Sequence, residues 1–460
     1  MKRIILVFSI LLCSIPVSYG QVISVKADAF PIFPNVHEEE TKVLKYIGPF
    51  SMIYIDSLDS TFLCETRDFN YFNVNYSAFV KCPIPNNSKI SDMYTPDFFY
   101  MWVCGKDGLS GKGLYSFLSP SNLSMYPQTF SMFYLPDMHE LKKMTVANIG
   151  TYPPDLRMFA IGTTEEENNR HILDLNVMGS GYYPTLPYDY ATVDSTEYLD
   201  DLELVESYVV FATRDVGPKN INVNLRVMDI WNGLSNTDID VKWRFVMPTD
   251  ETIYGKVFVE YLEESCFEVC YIKYSVKDGY VLCLHRINLV DMLFGITNTI
   301  ISQEISIEKG VFIQDIVYDR VERVLIILMD NNLSNSVFLH TVPDKNYNYN
   351  VVRLESAINE RYFSIDTMAS YSNNPGRMYQ AWGGTKCFEQ RFATDGTIMG
   401  SCISDIKIES KHVDPIRIKS IDNPIPRKVG DRYHYWEQES LESNVIWSNC
   451  FENEDKSINK

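Results

Sequence analysis

The chain has 460 residues, 45% of them hydrophobic and 13% aromatic, and 60 acidic against 41 basic side chains give a formal charge of −19. Such a charge repels phosphate, so no nucleic-acid partner is expected and anionic membrane is disfavoured. Ten cysteines in this length are too sparse for a disulfide framework, so an apolar core must supply most of the stability.

Residues 1–20 read as a secretory signal peptide. Lys2 and Arg3 form a positive start, Ile4 to Val17 an apolar stretch too short to span a membrane, and Ser18 and Gly20 the small residues before a cut at Gln21. Leu12 is too bulky for a lipoprotein cut before Cys13, so that alternative is disfavoured. Loss of Lys2 and Arg3 takes the charge from −19 to −21. The mature protein is expected to be exported, to the periplasm or the cell surface or beyond, with no transmembrane segment. Residues 21–45 form an N-terminal segment that can supply a ring-closing strand, 46–450 the folded domain, and 451–460 a polar tail.

Seven units of similar pattern follow. The first has Ser51 to Ile55, Thr61 to Cys64 and Ser77 to Val80; the second Ile90 to Met93, Phe98 to Gly105 and Gly113 to Leu118. The third has Leu141 to Met144, Leu156 to Gly162 and His171 to Leu175; the fourth Leu199 to Leu202, Tyr208 to Phe211 and Leu225 to Met228. The fifth has Val257 to Val259, Phe267 to Ile272 and Val281 to Leu284, with a Lys277-Asp278-Gly279 hairpin turn. The sixth has Ile313 to Ile316, Val324 to Asp330 and Val337 to His340; the seventh Ser364 to Met368, Met378 to Gly383 and Cys387 to Phe392. The period is about 50 residues, in the propeller range. The second run of each unit is almost continuously apolar, as in a strand buried on both faces. Helical patterns are scarce, Asn288 to Phe294 suiting a short helix or a loop. The fold class is therefore all-β: a β-propeller of mostly four-stranded antiparallel sheets, seven blades preferred over six or eight. Val22 to Ala27 or Tyr433 to Trp436 are candidates to close the ring.

The stretch Ile90 to Leu118 joins Asp-Met, an aromatic-rich strand ending Cys-Gly, and Gly-Leu-Tyr-Ser-Phe. In this it resembles secreted β-propeller-like proteins of gut Bacteroidota, and the many Tyr, Asn and Ile residues are similar to the usage of such genomes. The resemblance implies fold and export and carries over no catalytic residue.

Acids recur in one slot of the units. Asp92, Asp201 and Asp315 share it, Asp366 stands one residue off, and Lys143 replaces the acid in the third unit. In a propeller the innermost strands line the axis, so these side chains are candidates for an axial funnel. Converged carboxylates would suit Ca²⁺ or a cationic ligand. The favoured reading is that each Asp hydrogen-bonds backbone between neighbouring blades. Tyr182, Tyr183, Tyr188 and Tyr190 lie in a stiff Pro-containing connection, and Tyr435 and Trp436 in a second aromatic stretch. Exposed, they offer flat faces with polar edges suited to sugars or proteins; the alternative, that they cover the rim of the core, is preferred.

Cys387 and Cys402 flank a hairpin-like stretch turning at Asp395-Gly396 and form a candidate disulfide; Cys64 and Cys82 are a second such pair. Cys266 and Cys270 share one strand face about 13 Å apart, too far to bond. Buried free thiols are slightly favoured for all. No histidine spacing suits a metal, and His171, His285 and His340 read as packed or surface residues. Gly105 to Gly113 lacks the spacing of a phosphate loop and reads as a hairpin loop. No cofactor or metal is expected. The leading functional expectation is a non-catalytic binding or scaffold propeller for a protein or glycan. The alternative is a propeller glycoside hydrolase or lyase with acids in the funnel.

Overall fold

The computed structural model describes side chains in residues 89–94, 102–108, 110–116, 133–150, 156–164, 170–175, 190–217, 221–234, 239, 241–296, 302–307, 309–320, 323 and 325–329; elsewhere it describes strands alone, between Val22 and Ser448. These strands fall into seven sheets.

Each sheet is an antiparallel meander of four consecutive strands. The second holds Lys89–Tyr94, Met101–Lys106, Gly113–Leu118 and Thr129–Leu135. The third holds Glu140–Asn148, Leu156–Thr163, His171–Met178 and Asp189–Thr192. The fourth holds Glu197–Val205, Tyr208–Val216, Ile221–Asp229 and Val241–Val246. The fifth holds Glu251–Tyr261, Cys266–Ser275, Gly279–Asn288 and Ile301–Ile307, with the short helix Leu289–Leu293 before its last strand. The sixth opens with Phe312–Asp319, the seventh with Ser364–Met368 and the first with Glu40–Ile47.

The opening strands touch in cyclic order. Glu40–Ile47 lies beside Lys89–Tyr94, and the succession runs through the third, fourth, fifth and sixth sheets to Ser364–Met368, which returns to Glu40–Ile47. Radial meanders around a closed circle of opening strands make a β-propeller. Five further segments extend the sheets, four by pairing with a meander strand and the fifth, Ile418–Lys419, by pairing with Glu437–Glu442. Val22–Ala27 pairs parallel with Val351–Ser356 of the sixth sheet, and Phe30–Pro31 pairs with Phe388–Phe392 of the seventh. Glu437–Glu442 pairs with Thr129–Leu135 of the second, and Asn444–Ser448 with Ser77–Pro83 of the first.

The core is a set of seams between sheets. In Leu156–Thr163, Met158 and Ala160 join the cluster shared with the second sheet, while Phe159 and Ile161 join the cluster shared with the fourth. Val210 and Ala212 pack on the fifth sheet through Val257, Val259 and Phe267, and Cys270 and Ile272 pack on the sixth through Ile316 and Leu325. Alternate side chains of one strand thus serve two seams, which is why these runs lack the polar alternation of a solvated sheet.

The first unit needs a correction. Its expected opening run, within Phe50–Asp56, is the second strand of its sheet; the opening strand is Glu40–Ile47, across the expected boundary at residue 46. Polar residues Thr41, Lys42 and Lys45 interrupt the apolar pattern there and hide the strand. Cys64 stands opposite Val80 and Cys82 opposite Phe62, so those two cysteines are not directly paired across the strands. The fifth sheet's hairpin turns where expected, with Ser275 opposite Gly279 and Gly279 at φ 75°.

Candidate functional site

Five of the seven opening strands share an irregularity of pairing. Pairing skips one residue between Thr41 and Val43, Ile90 and Asp92, Leu141 and Lys143, Leu199 and Asp201, and Ile313 and Asp315. Such a bulge bends the strand and re-aims the residues around it. In four of the five the recurring acid, or Lys143, is the first residue paired after the skip, and in the first sheet it is Val43. Asp366 follows no skip and stands opposite Gln380.

Two of the acids bridge sheets. Asp92 Oδ2 accepts the Met144 N–H of the third sheet at 3.0 Å. Asp201, fully buried, accepts the Val259 N–H of the fifth sheet at 2.9 Å and its neighbour Leu202 N–H at 2.8 Å. Asp315 Oδ1 accepts the Ile316 N–H at 3.0 Å. The backbone-bridging reading of the slot is thus the geometry seen at Asp92 and Asp201. Lys143 completes it: its Nζ lies 2.5 Å from Asp201 Oδ1. Burial alone would lower this ammonium, but the charges of Asp201, Asp92 and Asp315 outweigh burial and hold it well above the ordinary lysine range. One lysine of the third sheet thus stands among acids of the second, fourth and sixth sheets.

Several bridging residues escaped the sequence reading. Asp200, the skipped residue itself, accepts the Val257 N–H at 3.0 Å and binds Arg214 with both oxygens, one of those bonds at 3.0 Å. Burial still pushes its carboxyl above the usual range. Ser91, skipped in the second sheet, donates to Glu140 Oε1 of the third at 2.7 Å. Glu260 accepts the Tyr318 N–H of the sixth sheet at 3.0 Å. Arg157 grips Asp174 with two bonds, at 2.5 and 2.6 Å, and also donates to the Ile230 and Trp231 carbonyls of the fourth sheet. Gly233 lies against that pair at φ 57°; an added Cβ would fall 1.9 Å from Arg157 Nη2. The Asp200–Asp201 doublet was the visible signal for the first of these. The others are ordinary charged residues whose partners stand in another unit.

Other sequence candidates are placed separately. Tyr190 is half-buried and meets His171 edge-on, 5.5 Å between centroids. Tyr182, Tyr183, Tyr188, Tyr435, Trp436, Cys387 and Cys402 lie outside the described residues. Cys104, Cys270 and Cys283 are buried free thiols, and Cys266 is free and half-buried. His285 is packed between Tyr271 Oη and Ser302 Oγ, each 3.0 Å away, and burial pushes it down to about 4. It is neutral near pH 7. Among the described residues, no three of His, Cys, Asp and Glu are grouped to hold a metal, and no helix is long and apolar enough to cross a membrane.

No family model matches the sequence, and no curated protein matches it. Solved structures similar in backbone include the Cps50 (Swd1) β-propeller domain of Myceliophteria thermophila, at 8% identity over 76% of this chain and 96% of that one, TM-score 0.47. The Dos1 propeller is similar at 10% identity over 79% of this chain and 94% of that one, TM-score 0.44. The Nup133 β-propeller domain of Vanderwaltozyma polyspora is similar at 8% identity over 77% and 93%, TM-score 0.42.

Proposed function

We propose that this chain is an exported propeller, its seven sheets the seven blades, that serves as a binding or scaffold module for a protein or glycan partner in the cell envelope. The observation that carries the reading is a division of labour. At the axis, Asp92, Lys143 and Asp201 hold one sheet to the next. Away from it, large apolar side chains stand in water on connecting segments, Trp231 at 59% exposure and Phe294 at 79%. A rigid ring with exposed apolar groups on its loops is built to present a surface. The pattern of residues 1–20 supports export. The test is a screen of the purified mature protein against host and bacterial glycans for binding and turnover, with a pull-down from envelope extract. Specific capture without turnover is expected. Turnover abolished by Asp201→Asn or Asp315→Asn would overturn the reading in favour of an enzyme.

A further inference from the structure

In an antiparallel meander the turns joining strands one to two and three to four emerge at the same end of the sheet. On this face the fifth sheet carries the turn Glu263-Glu264-Ser265 and the helix Leu289–Leu293. The helix buries Leu289 and Met292 in the seam with the fourth sheet. It and the residues after it leave Val290, Phe294 and Ile296 exposed, at 44%, 79% and 48%. Three apolar side chains within seven residues, outward beside a buried pair, are unusual for solvated surface.

Carboxylates border them. Leu289 N–H donates to the Ser265 carbonyl at 2.8 Å, fastening the helix to the one-to-two turn. Ser265 Oγ donates to Glu206 Oε1 at 2.5 Å, fastening that turn to the equivalent turn of the fourth sheet. Glu206 and Glu264 are exposed, and Asp291 lies within the helix. Glu263 pairs at 3.2 Å with Arg323 of the sixth sheet, leaving the other three acids with no basic partner in a described ion pair. The turns are held against preference: Glu206, Glu264 and Ser265 adopt φ of 55°, 51° and 61°, a region glycine or asparagine enters more readily.

We propose that this patch docks a cationic, apolar-bearing peptide segment of a protein partner. The inference rests on the binding-module reading and narrows it. Val290, Phe294 and Ile296 supply water-excluding contact, and Glu206, Glu264 and Asp291 supply the complementary charge. A second copy would bring the same acids on a chain of charge −19, anionic lipid would be repelled, and a neutral glycan would leave the carboxylates unused.

The probe is a random dodecapeptide display library panned against the full mature chain, followed by anisotropy titration of the selected peptides at two salt concentrations. Enrichment of Lys or Arg with aromatic or aliphatic residues is expected. Phe294→Ser should weaken the selected peptides at least tenfold, and Glu206→Gln with Glu264→Gln should flatten the salt dependence. Circular dichroism and gel filtration establish that these surface variants keep fold and size. No selectable peptide, peptides without basic enrichment, or equal binding by Phe294→Ser overturns the proposal. So does a concentration-dependent dimer that Phe294→Ser dissociates. A partner from envelope extract captured equally by wild type and Phe294→Ser defeats this docking site and leaves the binding-module reading standing; no specific capture or glycan binding by wild type defeats that reading itself.

Discussion

The seam between the fourth and fifth sheets and the seam between the fifth and sixth solve one problem with unequal care. In the former, Asp200 has Arg214 and the Val257 N–H, and Asp201 has Lys143 and the Val259 N–H. In the latter, Glu260 has the Tyr318 N–H, but Glu268, 2% exposed, has Arg286 only at 3.4 Å. Burial dominates there and pushes the Glu268 carboxyl up to about 7 against the Arg286 charge. Low dielectric strengthens a well-made polar contact and penalises a poorly made one. The second seam should therefore change its charge near neutrality, as Glu268 loses its proton there.

The largest effect should come from cutting the well-made seam. Asp201→Ala leaves Lys143 without its ion partner and the Val259 N–H without an acceptor, and should cost about 3–5 kcal/mol in a denaturant titration. Replacing Lys143 with Met in the same chain should recover part of that loss. Full additivity of the two changes would show that the ion pair is not coupled. Next comes a steric break in the seam between the third and fourth sheets. Gly233→Ala drives a methyl into the Arg157–Asp174 pair and strains a positive φ, and should cost about 2–4 kcal/mol by the same measurement.

The poorly made seam is tested by pH. Unfolded, Glu268 titrates near its ordinary value of 4.5; folded, near 7. Between these values the folded state alone keeps the proton, so its contribution is greatest below the lower value and is lost as pH rises through the upper one. Glu268→Gln should remove about 1–3 kcal/mol of that decline, seen as flatter stability between pH 5 and pH 8. His285 slopes the opposite way: its folded value near 4 lies below the ordinary imidazole value of 6.5, so its contribution rises with pH between about 4 and 6.5 and levels off by neutrality. The smallest effect belongs to the docking patch. Phe294→Ser should change stability by less than about 0.5 kcal/mol, because the ring is already in water. A larger loss would mean that Phe294 packs on the fold.

The radial plan was legible where strands are buried on both sides. Leu156–Thr163 and Val324–Asp330 announce themselves because the two neighbouring sheets ask the same apolar residues of one strand. Glu40–Ile47 was not legible, because its lysines break the pattern. The axial slot was visible as a repeated Asp, and its bridging use was the favoured reading. The Lys143–Asp201 contact was not visible, since a residue that looked like an exception in one unit completes the next. The exposure of Phe294 was equally hidden, being set by which helix face the neighbouring sheet covers.

The edge strands carry a consequence for assembly. Val22–Ala27 and Phe30–Pro31 reach back to the sixth and seventh sheets, while Glu437–Glu442 and Asn444–Ser448 reach forward to the second and first. The circle is lapped like a belt whose ends overlap on both sides of the buckle. Pulling apart the seventh and first sheets does not release the lap, because each is also fastened by chain from the far side of the sequence. The cost is paid in time, since contacts of such long sequence separation form slowly. During synthesis the first two sheets must wait with open edges until residues near 440 emerge, so that interval is when the chain most needs protection from pairing with another copy.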